Sequence, residues 1–216
     1  MRVGLVLALL IGLSASPAVA DTFRGCTPAE TTAIEMSLNA AKQMVVKAGA
    51  SVRDDDDYQR WFGAYSERRA EHVRASLKSI VAALRRGRVT AQCDQISPDG
   101  CGVGEYAFVY SDQPYRMHLC PSFFDLPRMA QLRPGSRRSD FGTQEGTLIH
   151  EISHFVTVAR TEDHCYSRSE CRIMALDDPN LAIENADSYQ YYAEDITFYA
   201  RQPVADKPPP APRPRR

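Results

Sequence analysis

Gly146-Thr147-Leu148-Ile149-His150-Glu151-Ile152-Ser153-His154-Phe155 is the stretch on which the reading of the fold turns. Its period is helical: Leu148, Ile152 and Phe155 share one stripe, and His150 and His154 lie on the opposite side. Residues four apart on a helix are separated by about 40° and about 6 Å along the axis, which lets two imidazoles bind one tetrahedral ion. The pattern is HExxH, with Glu151 beside that ion as a general base. Such a helix packs its apolar stripe and shows its histidines to a cleft. Two merely structural histidines would place no demand on Glu151 or on the residues after His154.

A catalytic ion keeps three protein ligands and one open position, so a third ligand must come from elsewhere. Thr157 and Arg160 stand where the longer HExxHxxGxxH pattern needs Gly and His, and that extension fails. Asp163 offers one solution, its neighbour His164 is a rival, and Glu184 on a later helix is another.

Upstream, Thr27-Pro28-Ala29-Glu30 is a capping box with Pro at the first helical position, and apolar residues continue at helical spacing to Gly49. Tyr58, Trp61, Phe62, Tyr65, Val73, Leu77, Ile80 and Leu84 predict one long second helix that stops at Gly87. The acidic run Asp54 to Asp57 lacks the EF-hand spacing and glycine, so it reads as a solvated loop and helix start. His72 reads as a helix-face residue. Gly100, Gly102 and Gly104 lead into a β-hairpin, with strands over 105–111 and 115–119 around Asp112-Gln113-Pro114. His118 on its second strand has no ligand partner and reads as structural. Short turns continue to Thr143, then helices to about Val158, over Ser169 to Leu176 and over Pro179 to Tyr199. The fold class is therefore α+β, mostly helical, with a small β-hairpin or sheet beside the HExxH helix.

Val3 to Leu13 is far shorter than the ~20 residues that span a bilayer. With Ala18-Val19-Ala20 after it, residues 1–20 read as a signal peptide cleaved before Asp21. The capping box comes so soon after it that no pro-segment is expected between them. Residues 21–201 are expected to form a single catalytic domain, with a helical half over 27–87 and a hairpin and active-site half over 93–201. The tail 202–216 holds six of the 14 prolines and should be extended and disordered. Lys and Arg number 26 against 27 Asp and Glu; with no protein-wide basic field, nucleic acid is not an expected partner. Export to the extracellular space or periplasm makes Cys26, Cys93, Cys101, Cys120, Cys165 and Cys171 disulfide candidates, and no CxxC suggests a cysteine metal site.

Gly146 to Phe155, Thr161-Glu162-Asp163 with Tyr166, and Asn185-Ala186-Asp187 through Glu194 resemble the deuterolysin, or aspzincin, family of zinc metalloendopeptidases. The peptidyl-Lys branch is the nearest in pattern. That branch carries HExxH, then GTxDxxYG, then NADxxEYF, and the resemblance covers nearly the whole mature chain. It implies a zincin-like fold, His150, His154 and Asp163 as ligands of one Zn2+ per chain, Glu151 as base and Tyr166 as a transition-state donor. It also implies the pairs Cys26 with Cys93 and Cys101 with Cys120, leaving Cys165 with Cys171. The two carboxylates that select lysine at P1′ in that branch correspond to Asp187 and Gln190, so one is kept and one is neutral. Asp187 alternatively orients a ligand histidine. Arg160 and Ser167 replace the two glycines of GTxDxxYG, so the loop that holds Asp163 must turn without that freedom.

The expectation is a secreted, monomeric, zinc-dependent endopeptidase acting on proteins or peptides, with a relaxed preference for Lys or Arg at P1′. Substrate would lie extended along Tyr106 to Tyr110. Two other readings stand beside it: an exported binding protein on a zincin scaffold, and a zinc hydrolase of another amide such as cell-wall peptide.

Overall fold

Thr27 caps the first helix as its sequence demands: its side chain accepts from Glu30 N, and the Glu30 carboxylate accepts from Thr27 N at 2.7 Å. In the computed structural model, which describes residues 20–85, 89–133 and 142–199, this helix, α1, spans Pro28–Ser51. The expected signal peptide, apart from its last residue, and the expected disordered tail lie outside the described residues.

The long second helix is in fact two, α2 over Asp56–Phe62 and α3 over Glu67–Arg85. The break is at Gly63, whose φ of 71° favours glycine and whose N–H closes α2 on Gln59 O. A Cβ there would run into the carbonyl of Ala175 and the ring of Pro179. The apolar period continues across the break because both helices bury the same face, with Tyr58, Trp61, Phe62, Val73, Leu77 and Ile80 all inaccessible to solvent.

The hairpin is present and shorter, with β3 (Ala107–Phe108) antiparallel to β4 (Arg116–Leu119) and Phe108 opposite His118. Two further strands were not foreseen, β1 (Thr22–Arg24) and β2 (Thr90–Cys93), which pair in parallel in the order β1-β2-β4-β3. That leaves β3 at the sheet edge.

The HExxH helix, α4, spans Gln144–His154 and stops short of Val158. Its apolar stripe is buried as expected, but so is every residue from Gln144 to Ser153, because α1 and the last helix, α7 (Ala186–Tyr199), pack against it. The helix expected over Pro179 to Tyr199 is interrupted, giving α6 (Pro179–Ala182) before α7, with α5 (Arg168–Asp177) ahead of both. The interruption is where Glu162 forms a parallel bridge with Asn185.

Three disulfides join Cys26 to Cys93, Cys101 to Cys120 and Cys165 to Cys171, the same pairs that the resemblance implies. The architecture is α+β, mostly helical, with a small mixed sheet beside the HExxH helix.

Gly63→Ala should lower stability by about 2–4 kcal/mol, from the left-handed backbone and the collision with α5 and α6. A thermal melt shifted by less than a degree would mean that the break does not need glycine.

Candidate active site

Thr143 caps α4, its hydroxyl accepting from Gly146 N at 2.9 Å. Gly146 has no side chain for a packing reason: a Cβ would meet the Glu194 carboxylate and the Gln190 side chain on α7. The close approach of α4 and α7 brings Asp187 onto His150, with Nδ1 donating to Oδ1 at 2.7 Å. One turn on, His154 Nδ1 donates to the carbonyl of Thr161 at 2.8 Å. A carboxylate and a carbonyl only accept, so Nδ1 of each ring carries a proton and Nε2 faces the cleft.

The chain then turns back through Arg160, which takes φ 54° where glycine would be at ease. Glu162 N donates to Glu184 O at 2.8 Å, Ala186 N donates to Glu162 O at 3.0 Å, and the side-chain oxygen of Asn185 accepts from the backbone of His164 and Cys165. These bonds deliver Asp163 between the imidazoles, with Oδ1 at 3.2 Å from His150 Nε2 and 3.4 Å from His154 Nε2. Among the described residues, His150, His154 and Asp163 offer ligand atoms within 4.8 Å of one another. His164 and Glu184 are exposed and outside this cluster. Two imidazole nitrogens and one carboxylate oxygen, with each ring held from behind, suit a divalent metal ion with a position left open.

Glu151 is buried at the cleft wall, and burial pushes its carboxyl up to about 7. His150 opposes that shift, while the charges of Asp163 and Glu105 add to it. His150 itself is raised to about 10 without a metal, since bonds to Asp163 and Asp187 outweigh the burial that disfavours its charge. Asp163 is lowered: burial opposes this, but His150 and His154 prevail. Tyr166 lines the same cleft and is largely exposed, its phenol raised by partial burial and by the charge of Asp163.

These groups line a cleft of about 690 Å3 whose other wall is the segment Tyr106 to Tyr110, which contains the edge strand β3. Asp187 and Gln190 are both in that lining. Asp187 is engaged on both oxygens, His150 on one and the N–H of Ser167 on the other at 3.2 Å, and Gln190 reaches Glu194 at 3.4 Å. Sequence reasoning missed Glu105, an acidic residue in a glycine-rich turn that carries no motif, and Thr161, which holds His154 through its backbone carbonyl. His118 lies away from the ligands, bonded to Asp94 at 2.6 Å and stacked on Phe108 at 4.5 Å between ring centres.

A family model described as lysine-specific metallo-endopeptidase matches residues 47–194. An extracellular protease of Aeromonas hydrophila is 32% identical over 173 residues, which cover 78% of this chain and 45% of that protein. A peptidyl-Lys metalloendopeptidase of Armillaria mellea is 28% identical over 178 residues, 80% of this chain and 46% of that protein. The chain thus spans about half the length of these two curated relatives. A solved zinc peptidase from Grifola frondosa superposes with a TM-score of 0.67 at 25% identity, covering 79% of this chain and 97% of that one.

Asp163→Ala should lower metal affinity, read by titration of metal-stripped protein, far more than His164→Ala or Glu184→Ala. Asp187→Asn should weaken it by about 10- to 100-fold, as loss of a carboxylate that orients a ligand histidine does. The opposite ranking would assign the third ligand elsewhere.

Proposed function

The chain belongs to the aspzincin family, and we propose that it is a secreted zinc-dependent endopeptidase that hydrolyses peptide bonds in proteins. The observation that carries this reading is the convergence of two imidazole Nε2 atoms and one carboxylate beside a buried glutamate in an open cleft. His150, His154 and Asp163 would hold one Zn2+ per chain, and the ion would supply Lewis-acid polarisation of the scissile carbonyl and a more acidic water. Residues 21–201 would form the catalytic unit and act as a monomer. Protein or peptide chains, and not nucleic acid, are the partners that a near-neutral net charge and this cleft favour. Export is supported by three disulfides, by the apolar run Val3 to Leu13 and by the extracellular relative. No described helix is long and apolar enough to cross a membrane.

Substrate would lie extended along the edge strand β3, using backbone groups that β4 does not take. Glu151, raised toward neutrality by burial, accepts a proton from the attacking water and passes it to the leaving amine. Tyr166 would donate its phenol to the carbonyl oxygen as negative charge develops there. Asp187 and Gln190 form the wall that meets the P1′ side chain. One carboxylate there, with a neutral amide in place of a second, supports a relaxed preference for Lys or Arg. A binding protein on the same scaffold would have no use for a protonatable carboxylate beside the cluster, and Glu151 argues for catalysis.

Casein should be degraded by the zinc-loaded protein and spared in chelator. Glu151→Gln should keep fold and zinc but lose turnover, and Tyr166→Phe should lose about 10²-fold, as for one oxyanion donor. Activity retained in Glu151→Gln removes the mechanism.

The acid limb of kcat/KM should fall at or below about 7, because Glu151 must be ionised to act and a bound cation lowers it further. A limb well above that value assigns the base to another group. Peptide-library cleavage should show Lys and Arg enriched at P1′ and sharpened toward Lys by Gln190→Glu. Apolar residues dominating P1′ would overturn the preference.

A further inference from the structure

Ser167 sits at φ 77°, ψ 151°, a region of backbone space that is essentially glycine's alone. A residue with a Cβ persists there when its surroundings over-determine it. The neighbours on both sides are informative. Before it, Tyr166 faces the cleft; at Ser167 itself, the N–H donates to Asp187, the carboxylate that holds His150.

After it comes Arg168, whose two terminal nitrogens each donate at 2.7 Å, one to Asp195 and one to Glu194. Its side chain is 12% exposed and the two carboxylates 1% and 5%. The guanidinium also lies over the rings of Trp61 and Tyr191, 5.3 and 4.7 Å from their centres. Both carboxylates are anchored in turn, Glu194 by the Thr143 hydroxyl that caps α4, and Asp195 by Trp61 Nε1. Arg168 therefore fastens the turn to α7, to α2 and to the start of the HExxH helix. The Cys165–Cys171 disulfide closes the same loop across this turn.

We propose that Arg168 is a positioning residue whose buried ion cluster holds Ser167 in a glycine conformation, and so fixes the Tyr166 phenol and the Ser167 N–H on Asp187. The turnover readout rests on the endopeptidase reading above; the melting readout does not.

The test compares wild type, Arg168→Gln, Ser167→Gly and the double variant, all zinc-loaded, by thermal melting, zinc content and casein kinetics. Ser167→Gly should raise Tm, since glycine adopts the angles without strain. Arg168→Gln should keep its zinc and lose about 10- to 100-fold in kcat, with KM changed by less than about twofold, the signature of a displaced catalytic group. The double variant should regain most of that loss, and Arg168→Gln should lower Tm less in the glycine background. A Tm unchanged or lowered in Ser167→Gly overturns the proposal, as does an Arg168→Gln loss of equal size in both backgrounds. Should Arg168→Gln not fold, Arg168→Lys replaces it in both backgrounds, with the same outcomes expected in smaller measure. Should casein resist even the wild type, the function reading fails, and the two melting comparisons still judge this one.

Discussion

The bond from His150 Nδ1 to Asp187, 2.7 Å long and buried, is the interaction on which the site depends. It fixes the tautomer and the ring orientation of the first imidazole, and it exists only because α4 and α7 approach closely enough to require glycine at 146. An isolated carboxylate at that depth would be strongly disfavoured. Asp187 is tolerated because His150 and the Ser167 N–H both donate to it. Glu105, Glu151, Asp163 and Asp187 share the same cleft, whose described lining contains no Lys or Arg. That concentration of negative charge adds to the burial that raises Glu151 and creates the electrostatic demand that a bound cation would meet.

The loop between the ligands shows how a backbone requirement survives the loss of the residue that usually meets it. Arg160 and Ser167 both keep positive φ without being glycine. The loop that contains them is held by bonds from outside it. Asn185 collects the backbone of His164 and Cys165 on one side, and Arg168 enters its carboxylate pair on the other. Local strain is thereby offset by tertiary bonds.

Where sequence reading went wrong, a common cause applies. The periodicity through Tyr58, Trp61, Phe62 and Tyr65 runs smoothly into α3 because two helices that cover one core share its apolar phase, although the chain breaks at Gly63 between them. The strands Thr22–Arg24 and Thr90–Cys93 are short, and their parallel pairing joins segments far apart in sequence, so nothing local marks them. The α7 start is displaced because Asn185 spends its backbone neighbours on Glu162 instead of on a helical turn.

Sequence alone determined the HExxH helix, its buried stripe of Leu148, Ile152 and Phe155, the capping box of α1, the hairpin and the mainly helical class, since each is written in side-chain spacing within one element. It also narrowed the third ligand to Asp163, His164 or Glu184. Only the tertiary structure brought Asp163 to the imidazoles and left the other two in solvent, because the direction of that loop is set by the Glu162 bridge to Asn185. Likewise only the packing of α7 on α4 decided that Asp187 meets His150. Both depend on groups brought together from distant positions, and no local pattern encodes the distance between them.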